Sequence, residues 1–210
     1  MPRRPDMPAL DRDSLAANPI AQFAAWWELA QTEVPLCDAM TLATVDPLGI
    51  PDARMVLLKG FGPDGFRFFT NRQSAKGGQL GGHPHAAIVL YWRELDRQVR
   101  ARGSIADLSP DESDAYFATR SLDSQLGAWA SPQSRPLRDR AELDKLLREV
   151  TERFEGEDAV ARPPHWGGYV LRPDRVEFWQ GQVGRLHDRF LYERVPEEHG
   201  GPWRIQRLGP

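Results

Sequence analysis

From residue 40 onward the chain consists of short apolar segments separated by turn sequences, and this pattern constrains the fold more than any other feature. Asp46-Pro47-Leu48-Gly49 and Gly62-Pro63-Asp64-Gly65 have the residue types of β-turns, and each lies between two apolar segments. Helical patterns interrupt these predicted strands. Short antiparallel strands with tight turns and intervening helices predict a mainly β fold with helices, built as a closed or nearly closed β-barrel.

The stretch 98–105 shows the strand period most clearly, because apolar and polar residues alternate along it. Arg100 and Arg102 make its outward face basic, so we expect an anionic group to lie against that face. Further strands are predicted at 168–171, 176–180, 188–194 and 203–208.

Three cap sequences predict where helices begin. Asn18 precedes Pro19, a favoured first-turn residue, and Ser109-Pro110-Asp111-Glu112 is a capping box. Asp139 precedes an amphipathic stretch that extends to Phe154. The first 17 residues are polar and contain three prolines, so we expect a flexible N-terminal arm (1–17) followed by a single domain (18–210).

Composition excludes several classes of protein. A net charge of −3 argues against non-specific binding of nucleic acid, and no apolar run approaches the roughly 20 residues that cross a bilayer. Cys37 is the only cysteine, which excludes an internal disulfide and a cysteine-based zinc site, and the cytoplasm is the expected location. No metal site is predicted, because His83 and His85 have no suitably spaced acidic or cysteine partner.

Three groups of side chains are suited to binding anions. Arg54 and Lys59 lie in one otherwise apolar predicted strand, where their odd spacing places them on opposite faces. Ser74 and Lys76 flank a predicted helix start, where backbone N–H groups are free. The third group offers two hydroxyls and a guanidinium: Tyr116, Arg120 and Ser124.

A fourth group, at 177–189, clusters charge where two predicted strands are joined. Guanidinium groups hold phosphate through a planar fork, and an indole offers a flat apolar face to an aromatic ring. Each group alone is also explained by solvated surface charge. Taken together, with further donors elsewhere, they predict two phosphate sites and one site for a flat heterocycle. The residues that complete this set are Gln98, Gln133, Ser134, Trp179, Arg185, His187 and Arg189.

Ordered segments from Gln22 to Pro210 closely resemble the pyridoxamine/pyridoxine 5′-phosphate oxidase family. The matching segments are residues 53–61 (ARMVLLKGF), 65–71 (GFRFFTN), 95–99 (LDRQV), 124–129 (SQLGAW), 164–169 (PHWGGY), 177–181 (EFWQG), 185–189 (RLHDR) and 207–210 (RLGP). The resemblance implies a split β-barrel that binds FMN, and a homodimer with two flavin sites at the subunit interface. It also implies oxidation of pyridoxamine or pyridoxine 5′-phosphate to pyridoxal 5′-phosphate by O2, with release of H2O2 and, from the amine, of NH3.

The same resemblance implies roles for individual residues. Those expected to contact FMN are Arg54, Met55, Val56, Leu57, Leu58, Lys59, Phe69, Thr70, Lys76, Gln98, Gln133, Ser134, Trp179 and Arg189. Those expected to contact the substrate are Lys59, Tyr116, Arg120, Ser124, Arg185, Leu186 and His187. Arg185 and His187 are expected to be the catalytic pair beside the reacting carbon. The family usually has Ser-Arg-Lys where this chain has Ser74-Ala75-Lys76, so one cation expected near the FMN phosphate is missing.

Two alternatives stay open. The first is another oxidase on the same barrel, such as the flavin enzymes of phenazine biosynthesis, acting on a different heterocycle. The second is a non-catalytic protein that binds flavin or haem, because one fold can carry several functions.

Overall fold

The computed structural model describes residues 9–157, 159–195 and 203–210. Within these ranges nine strands form one antiparallel sheet, accompanied by five α-helices. The strands are β1 (Ala39–Val45), β2 (Pro51–Leu57), β3 (Gly60–Gly62), β4 (Gly65–Asn71), β5 (His85–Trp92), β6 (Arg97–Asp107), β7 (Trp166–Gln180), β8 (Asp188–Arg194) and β9 (Trp203–Arg207). The helices are α1 (Pro19–Glu33), α2 (Ala75–Gly82), α3 (Pro110–Ala118), α4 (Leu122–Ala130) and α5 (Arg140–Arg153).

The sheet has the order β2-β1-β5-β6-β7-β4-β3, and β7 is long enough to carry two neighbours along one edge. The first part of β7 pairs with β4 and the second part pairs with β8, which in turn pairs with β9. Strand β6 covers the other edge of β7. This branching sheet forms a half-barrel with helices around it, which confirms the predicted split-barrel fold class.

Strand β7 is continuous where the sequence predicted two separate strands, at 168–171 and 176–180. That prediction was wrong: Pro173 lies within the continuous strand, because the register of β6 against β7 shifts between Arg102 and Gly103, beside this proline. Such a bulge tolerates proline. A Cβ atom on Gly103 would lie 1.9 Å from the Arg172 carbonyl oxygen, so glycine is needed where the two backbones meet.

All three predicted caps are present. Asn18 accepts a hydrogen bond from the Ile20 N–H at 2.8 Å, and Ser109 and Glu112 form the reciprocal capping box. Asp139 caps α5 through the Glu142 N–H. These hydrogen bonds join residues that are close in the sequence, so local sequence patterns predict them.

Helix α1 packs its apolar face onto the inside of the half-barrel. The Phe23 ring lies 4.8 Å from the Phe61 ring and 5.0 Å from the Phe66 ring, between centroids. Trp26 makes an edge-to-face contact with Phe178 on β7. This aromatic core fixes the strands that carry the predicted site residues.

The flexible arm predicted at 1–17 lies partly outside the described residues, since 1–8 are not described. For residues 9–17 the structure corrects the prediction, because Leu10 and Leu15 are buried against the sheet. The Leu10 N–H donates to the Asp188 carboxylate at 3.0 Å, and the Tyr192 hydroxyl donates to the Ala16 carbonyl at 2.7 Å. Residues 9–17 therefore pack as part of the folded domain, which was predicted to begin at residue 18.

In the described part of the chain, no helix is both long enough and apolar enough to cross a lipid bilayer. The same residues contain no group of three or more His, Cys, Asp or Glu side chains arranged to hold a metal ion. Burial raises the pKa of the Cys37 thiol, and the neighbouring Asp38 carboxylate raises it further. Cys37 therefore has little thiolate character.

Candidate active site

Four of the predicted residues meet at one end of the sheet, and we call Arg54, Thr70, Lys76 and Gln133 the cation cluster. Ser74 caps α2 by accepting from the Gly77 N–H at 3.3 Å, which places Lys76 in the first turn of that helix. The Lys76 ammonium donates to Gln133 Oε1 at 3.0 Å, and the Thr70 hydroxyl donates to the same oxygen at 3.2 Å. Ser134 follows Gln133 in a left-handed conformation with φ 68° and is exposed.

The electrostatics of the cation cluster favour an anion. Burial lowers the pKa of Lys76, and the positive charge of Arg54 lowers it further, while Asp52 opposes the shift. The hydrogen-bond acceptor of Lys76 is a neutral amide oxygen. Two neighbouring cations, one of them half-buried and bonded to a neutral group, form an environment in which a phosphate would be stabilised.

Three residues that were not predicted from the sequence surround Arg54: Thr44, Asp52 and Gln79. One terminal nitrogen of Arg54 donates to the Thr44 hydroxyl, and the other donates to Asp52 at 2.5 Å and to Gln79 at 3.0 Å. Gln79 follows Lys76 by three residues on α2, so both lie on one side of that helix. The spacing from Lys76 to Gln79 was the available signal, but it does not indicate the contact with β2.

A second group of predicted residues is built on an aromatic stack. The Phe69 ring lies 4.0 Å from the Tyr116 ring and 5.3 Å from the Trp166 ring, and all three are nearly parallel. The Arg120 guanidinium lies 4.9 Å from the centroid of the Trp166 ring. Ser121 directly follows Arg120 in the chain, and its hydroxyl donates a hydrogen bond to the Ser124 hydroxyl at 2.9 Å. The junction of α3 and α4 thus holds Tyr116, Arg120 and Ser124 together, and we call these three the α3–α4 group.

Arg120 carries an unsatisfied donor. Its Nη1 atom is buried and has no hydrogen-bond partner among the described residues. Burial lowers the pKa of Arg120, and Tyr116 opposes that shift. Arg67 and Arg72 also have a buried, unpaired nitrogen, but each forms an ion pair, whereas Arg120 has no ion pair among the described residues. Since buried polar atoms are nearly always hydrogen-bonded, the Arg120 guanidinium is the one of these three suited to receive an anionic ligand.

A third group lies in one row across three neighbouring strands. Gln98 on β6 is the register partner of Trp179 on β7, which is the partner of Arg189 on β8. The Arg189 Nε donates to the buried Glu177 carboxylate at 2.8 Å, and this bond raises the pKa of Arg189. The row is therefore ordered and offers an amide, an indole and a paired guanidinium.

His187 extends this row. Its ring centroid lies 4.6 Å from that of Trp179, and its Nδ1 accepts a hydrogen bond from the Gln182 N–H at 3.1 Å. A neutral imidazole whose Nδ1 is an acceptor carries its proton on Nε2. His187 is consequently held as a hydrogen-bond donor at Nε2.

The loop beside His187 is exposed in the single chain. Arg185 has a left-handed backbone with φ 64°, and its neighbours Val183 and Leu186 are 72% and 70% exposed. Exposed apolar side chains next to ordered functional groups are typical of a surface covered by a partner.

The sequence predicted Lys59 in the same strand as Arg54. This prediction was wrong, because β2 ends at Leu57. The Lys59 ammonium is paired with the Asp38 carboxylate at 2.7 Å, beside a cavity of about 510 Å³ that Trp27 and Phe61 also line. Among the described residues, no hydrogen bond or ion pair joins Lys59 to the α3–α4 group. Asp38 was not predicted from the sequence.

The remaining predicted flavin residues alternate along the segment 55–58. Met55 and Leu57 are exposed on the outer face of the sheet, whereas Val56 and Leu58 pack toward the core. A cavity of about 700 Å³ between α4 and α5 contains none of the predicted site residues.

The aromatic stack and the row of the third group lie at opposite ends of β7. Trp166 is the first residue of that strand and Trp179 is the residue before the last. Thirteen residues at about 3.3 Å each cover roughly 40 Å when straight. The structure therefore brings most of the predicted residues into three groups, with Lys59 and the segment 55–58 outside them, and one chain does not gather all of them around a single small ligand.

Two family profiles match most of the chain. Residues 27–154 match the family profile described as pyridoxamine 5′-phosphate oxidase, and residues 166–210 match the pyridoxine 5′-phosphate oxidase C-terminal dimerisation region. The chain belongs to the pyridoxamine 5′-phosphate oxidase family. Trp179 on β7, His187 and the loop between β7 and β8 all fall within the part of this family that is named for dimerisation.

Individual relatives agree with this family assignment. Pyridoxine/pyridoxamine 5′-phosphate oxidase 1 of Ralstonia nicotianae is 52% identical over 203 residues, which are 96% of this chain and 93% of that protein. The crystal structure of PhzG from Burkholderia lata 383, in complex with tetrahydrophenazine-1-carboxylic acid, has a TM-score of 0.88 at 31% identity and covers 98% of both chains.

A more distant structure shows the fold alone. A pyridoxamine 5′-phosphate oxidase-related, FMN-binding protein from Nostoc punctiforme PCC 73102 has a TM-score of 0.73 at 21% identity. It covers 93% of this chain and 100% of that chain. The family resemblance and the fold inferred from the sequence are confirmed by these comparisons.

Proposed function

We propose that this protein is an FMN-dependent oxidase that converts pyridoxamine and pyridoxine 5′-phosphate to pyridoxal 5′-phosphate. Oxygen is the acceptor, H2O2 is released, and the amine substrate also yields NH3. One observation carries the proposal: two separate cationic groups, at Lys76 and at Arg120, each have an incompletely satisfied cation. A reaction between FMN and a phosphorylated pyridine needs two separate phosphate sites, one for each partner.

The cation cluster fits the phosphate of FMN. Arg54 and Lys76 supply positive charge, Thr70 supplies a hydroxyl, and the first turn of α2 supplies backbone N–H groups. Bound FMN would take up two electrons from the substrate and pass them to O2. The chain itself holds the phosphate and so fixes where the flavin ring lies.

The α3–α4 group fits the phosphate of the substrate. The buried, unpaired Nη1 of Arg120 supplies a charged donor, and Tyr116 and Ser124 of the same group carry hydroxyls that could add hydrogen bonds. Holding the substrate at a phosphate remote from its reacting carbon uses binding energy to fix the alignment of the pyridine ring.

We infer that the catalytic pair, Arg185 and His187, reaches this site from a second copy of the chain. The separation along β7 supports this inference, as does the match of residues 166–210 to a dimerisation region. The exposed apolar side chains of Met55, Leu57, Val183 and Leu186 are suited to being covered in a homodimer.

In such a site the Nε2–H of His187 would donate a hydrogen bond to the oxygen or nitrogen substituent next to the reacting carbon. Arg185 would orient the pyridine ring. The product would place the enzyme in the synthesis or salvage of vitamin B6. We expect the cytoplasm as its location, because Cys37 is the only cysteine of the chain.

A second candidate is an oxidase of a reduced heterocycle that carries no phosphate. The structural similarity to PhzG from Burkholderia lata 383, solved with tetrahydrophenazine-1-carboxylic acid, favours it. A carboxylate could also pair with Arg120, but it would leave the surrounding hydroxyls of Tyr116 and Ser124 without a clear role.

The test is an oxidase assay on the purified protein under air. We expect a yellow flavin spectrum, and we expect pyridoxamine 5′-phosphate to yield equal amounts of H2O2 and pyridoxal 5′-phosphate, seen by its aldehyde absorbance. Turnover of tetrahydrophenazine-1-carboxylic acid without turnover of the phosphorylated pyridines would favour the second candidate. A bound flavin that neither substrate reduces would contradict both.

A further inference from the structure

Gln79 on α2 connects the two cations of the cation cluster. Its Oε1 accepts hydrogen bonds from Arg54 at 3.0 Å and from the Thr44 hydroxyl, and its Nε2 donates to Asp52 at 3.1 Å. Both ends of the amide are therefore bonded to partners on β1 and β2. A side chain of the same size without these polar atoms would lose all three bonds.

Arg54 is fully engaged at its two terminal nitrogens. Nη1 donates to the Leu42 carbonyl at 3.2 Å and to the Thr44 hydroxyl, and Nη2 donates to Asp52 and to Gln79. Four terminal N–H groups meet four acceptors, so the orientation of the guanidinium is fixed. Gln79 is the acceptor that comes from the helix carrying Lys76.

Arg54 and Lys76 repel one another, because both are cations and Lys76 is half-buried. Asp52, whose side chain is about half exposed, pairs with Arg54 and also accepts a hydrogen bond from Gln79. Gln79 is the neutral group that ties Arg54 to the helix of Lys76 against this repulsion. Ala75 adds no charge to the first turn of α2, so an anion at this helix start depends on these two cations.

We propose that Gln79 is a positioning residue for the flavin phosphate, which acts by fixing Arg54 beside Lys76. The inference rests on the proposed function, because it takes FMN as the ligand of the cation cluster. Gln79 does not itself need to contact the flavin. Its loss should weaken the binding of the flavin phosphate and leave the binding of the flavin ring unchanged.

The experiment compares FMN with riboflavin, which has the same ring and lacks the phosphate. Dissociation constants are measured by quenching of flavin fluorescence, with the full chain stripped of flavin. In Gln79→Leu we expect FMN to bind about tenfold more weakly, because Arg54 loses the hydrogen bond that holds it to α2, and riboflavin to change by less than about twofold. The matched control is Gln73→Leu, the same substitution at an exposed position just before α2, which should change the affinity for neither FMN nor riboflavin.

A double-mutant cycle tests whether Gln79 acts through Arg54. In the Arg54→Ala background, Gln79→Leu should weaken FMN by less than about twofold, because the group that it positions is gone. Gln79→Glu is the second variant in case Gln79→Leu does not fold. It keeps the size of the side chain and faces Asp52 with a carboxylate, so FMN should again weaken and riboflavin should not.

Equal weakening of FMN and riboflavin would show a merely structural role and overturn the inference. An unchanged affinity for FMN in Gln79→Leu, or an undiminished effect in the Arg54→Ala background, would also overturn it while leaving the proposed function intact. A wild-type chain that binds neither flavin would overturn the proposed function and this inference together.

Discussion

The guanidinium of Arg120 lies over the ring of Trp166 at 4.9 Å, and its Nη1 is buried there without a partner among the described residues. Trp166 is the first residue of β7, and the aromatic stack around it fixes where that charge lies. The arrangement keeps a cation ready for an anion, since the ring partly offsets the cost of burying the charge and leaves one donor free.

Removing that cation should weaken the binding of the phosphorylated substrate. For Arg120→Ala we expect a loss of about 1.5–3 kcal/mol in the binding free energy of pyridoxamine 5′-phosphate. This loss should raise KM for that substrate, with a smaller change in kcat. Steady-state kinetics measures both constants. Arg138→Ala, at an exposed arginine on the surface, is the control and should behave as wild type. An unchanged KM in Arg120→Ala would remove Arg120 from the substrate phosphate site.

The ion pair between Lys59 and Asp38 makes a prediction of opposite sign. The family resemblance implies that Lys59 binds the substrate, so we expect Asp38, which meets the Lys59 ammonium at 2.7 Å, to compete with the substrate phosphate for it. A partly exposed ion pair contributes at most about 1 kcal/mol of interaction free energy. Asp38→Asn should therefore lower KM for pyridoxamine 5′-phosphate about two- to fivefold. Lys59→Met should raise it. A higher KM in Asp38→Asn would instead show that Asp38 holds Lys59 in its working position.

The affinity for FMN should depend on pH through Lys76. Burial and the charge of Arg54 lower the pKa of Lys76 from its ordinary value. Lysine is charged below its pKa, so FMN binding is strongest below the lowered pKa and weakens as pH rises through it. Lys76→Arg stays charged and should show no such loss. Titrations with FMN from about pH 7 to about pH 10 check both; parallel curves for the two proteins would exclude Lys76 from the phosphate site.

The sequence predicted those parts of the site that depend on neighbours in the chain. Ser74 capping the helix of Lys76, and the capping box of Ser109 and Glu112, are contacts over three residues or fewer in the described structure. The contacts that were missed join distant segments. Gln79 meets Thr44 across 35 residues and Asp52 across 27, and Lys59 meets Asp38 across 21.

Long-range contacts also explain why two predictions from the sequence were wrong. Arg100 and Arg102 were expected to face an anionic ligand, but they pair with Glu177 at 3.4 Å and Asp174 at 3.5 Å on the neighbouring strand β7. Residues 9–17 were expected to be flexible, but Leu10 bonds to Asp188 across 178 residues. Neither the strand register nor this docking follows from local periodicity.

The contacts of Asp188 predict a stability effect. Burial alone would raise the pKa of Asp188, but hydrogen bonds from Arg207, Leu10 and Gln182 outweigh it and hold the pKa low. The resulting stability is present above the unfolded-state pKa and is lost as pH falls through the folded-state pKa. Asp188→Asn should lower the free energy of unfolding by about 2–3 kcal/mol near neutral pH and reduce its dependence on acid.

Urea unfolding of wild type and Asp188→Asn at neutral and acidic pH measures this effect. Hydrogen exchange at Leu10 shows whether residues 9–17 have detached from the sheet in the variant. Asp46→Asn, a substitution of the same kind in the exposed turn between β1 and β2, is the control. Equal stability of wild type and Asp188→Asn at neutral pH would contradict the role given to Asp188.

The central claim is that one active site takes Arg120 from one copy of the chain and His187 from the other. Its most direct measurement uses a heterodimer in which one copy carries Arg120→Ala and the other carries His187→Ala, purified through two different tags. One site then contains both substitutions and the other contains neither, so kcat/KM for pyridoxamine 5′-phosphate should be about half that of wild type, well above either variant alone. A heterodimer no more active than the mean of the two single variants would contradict the claim.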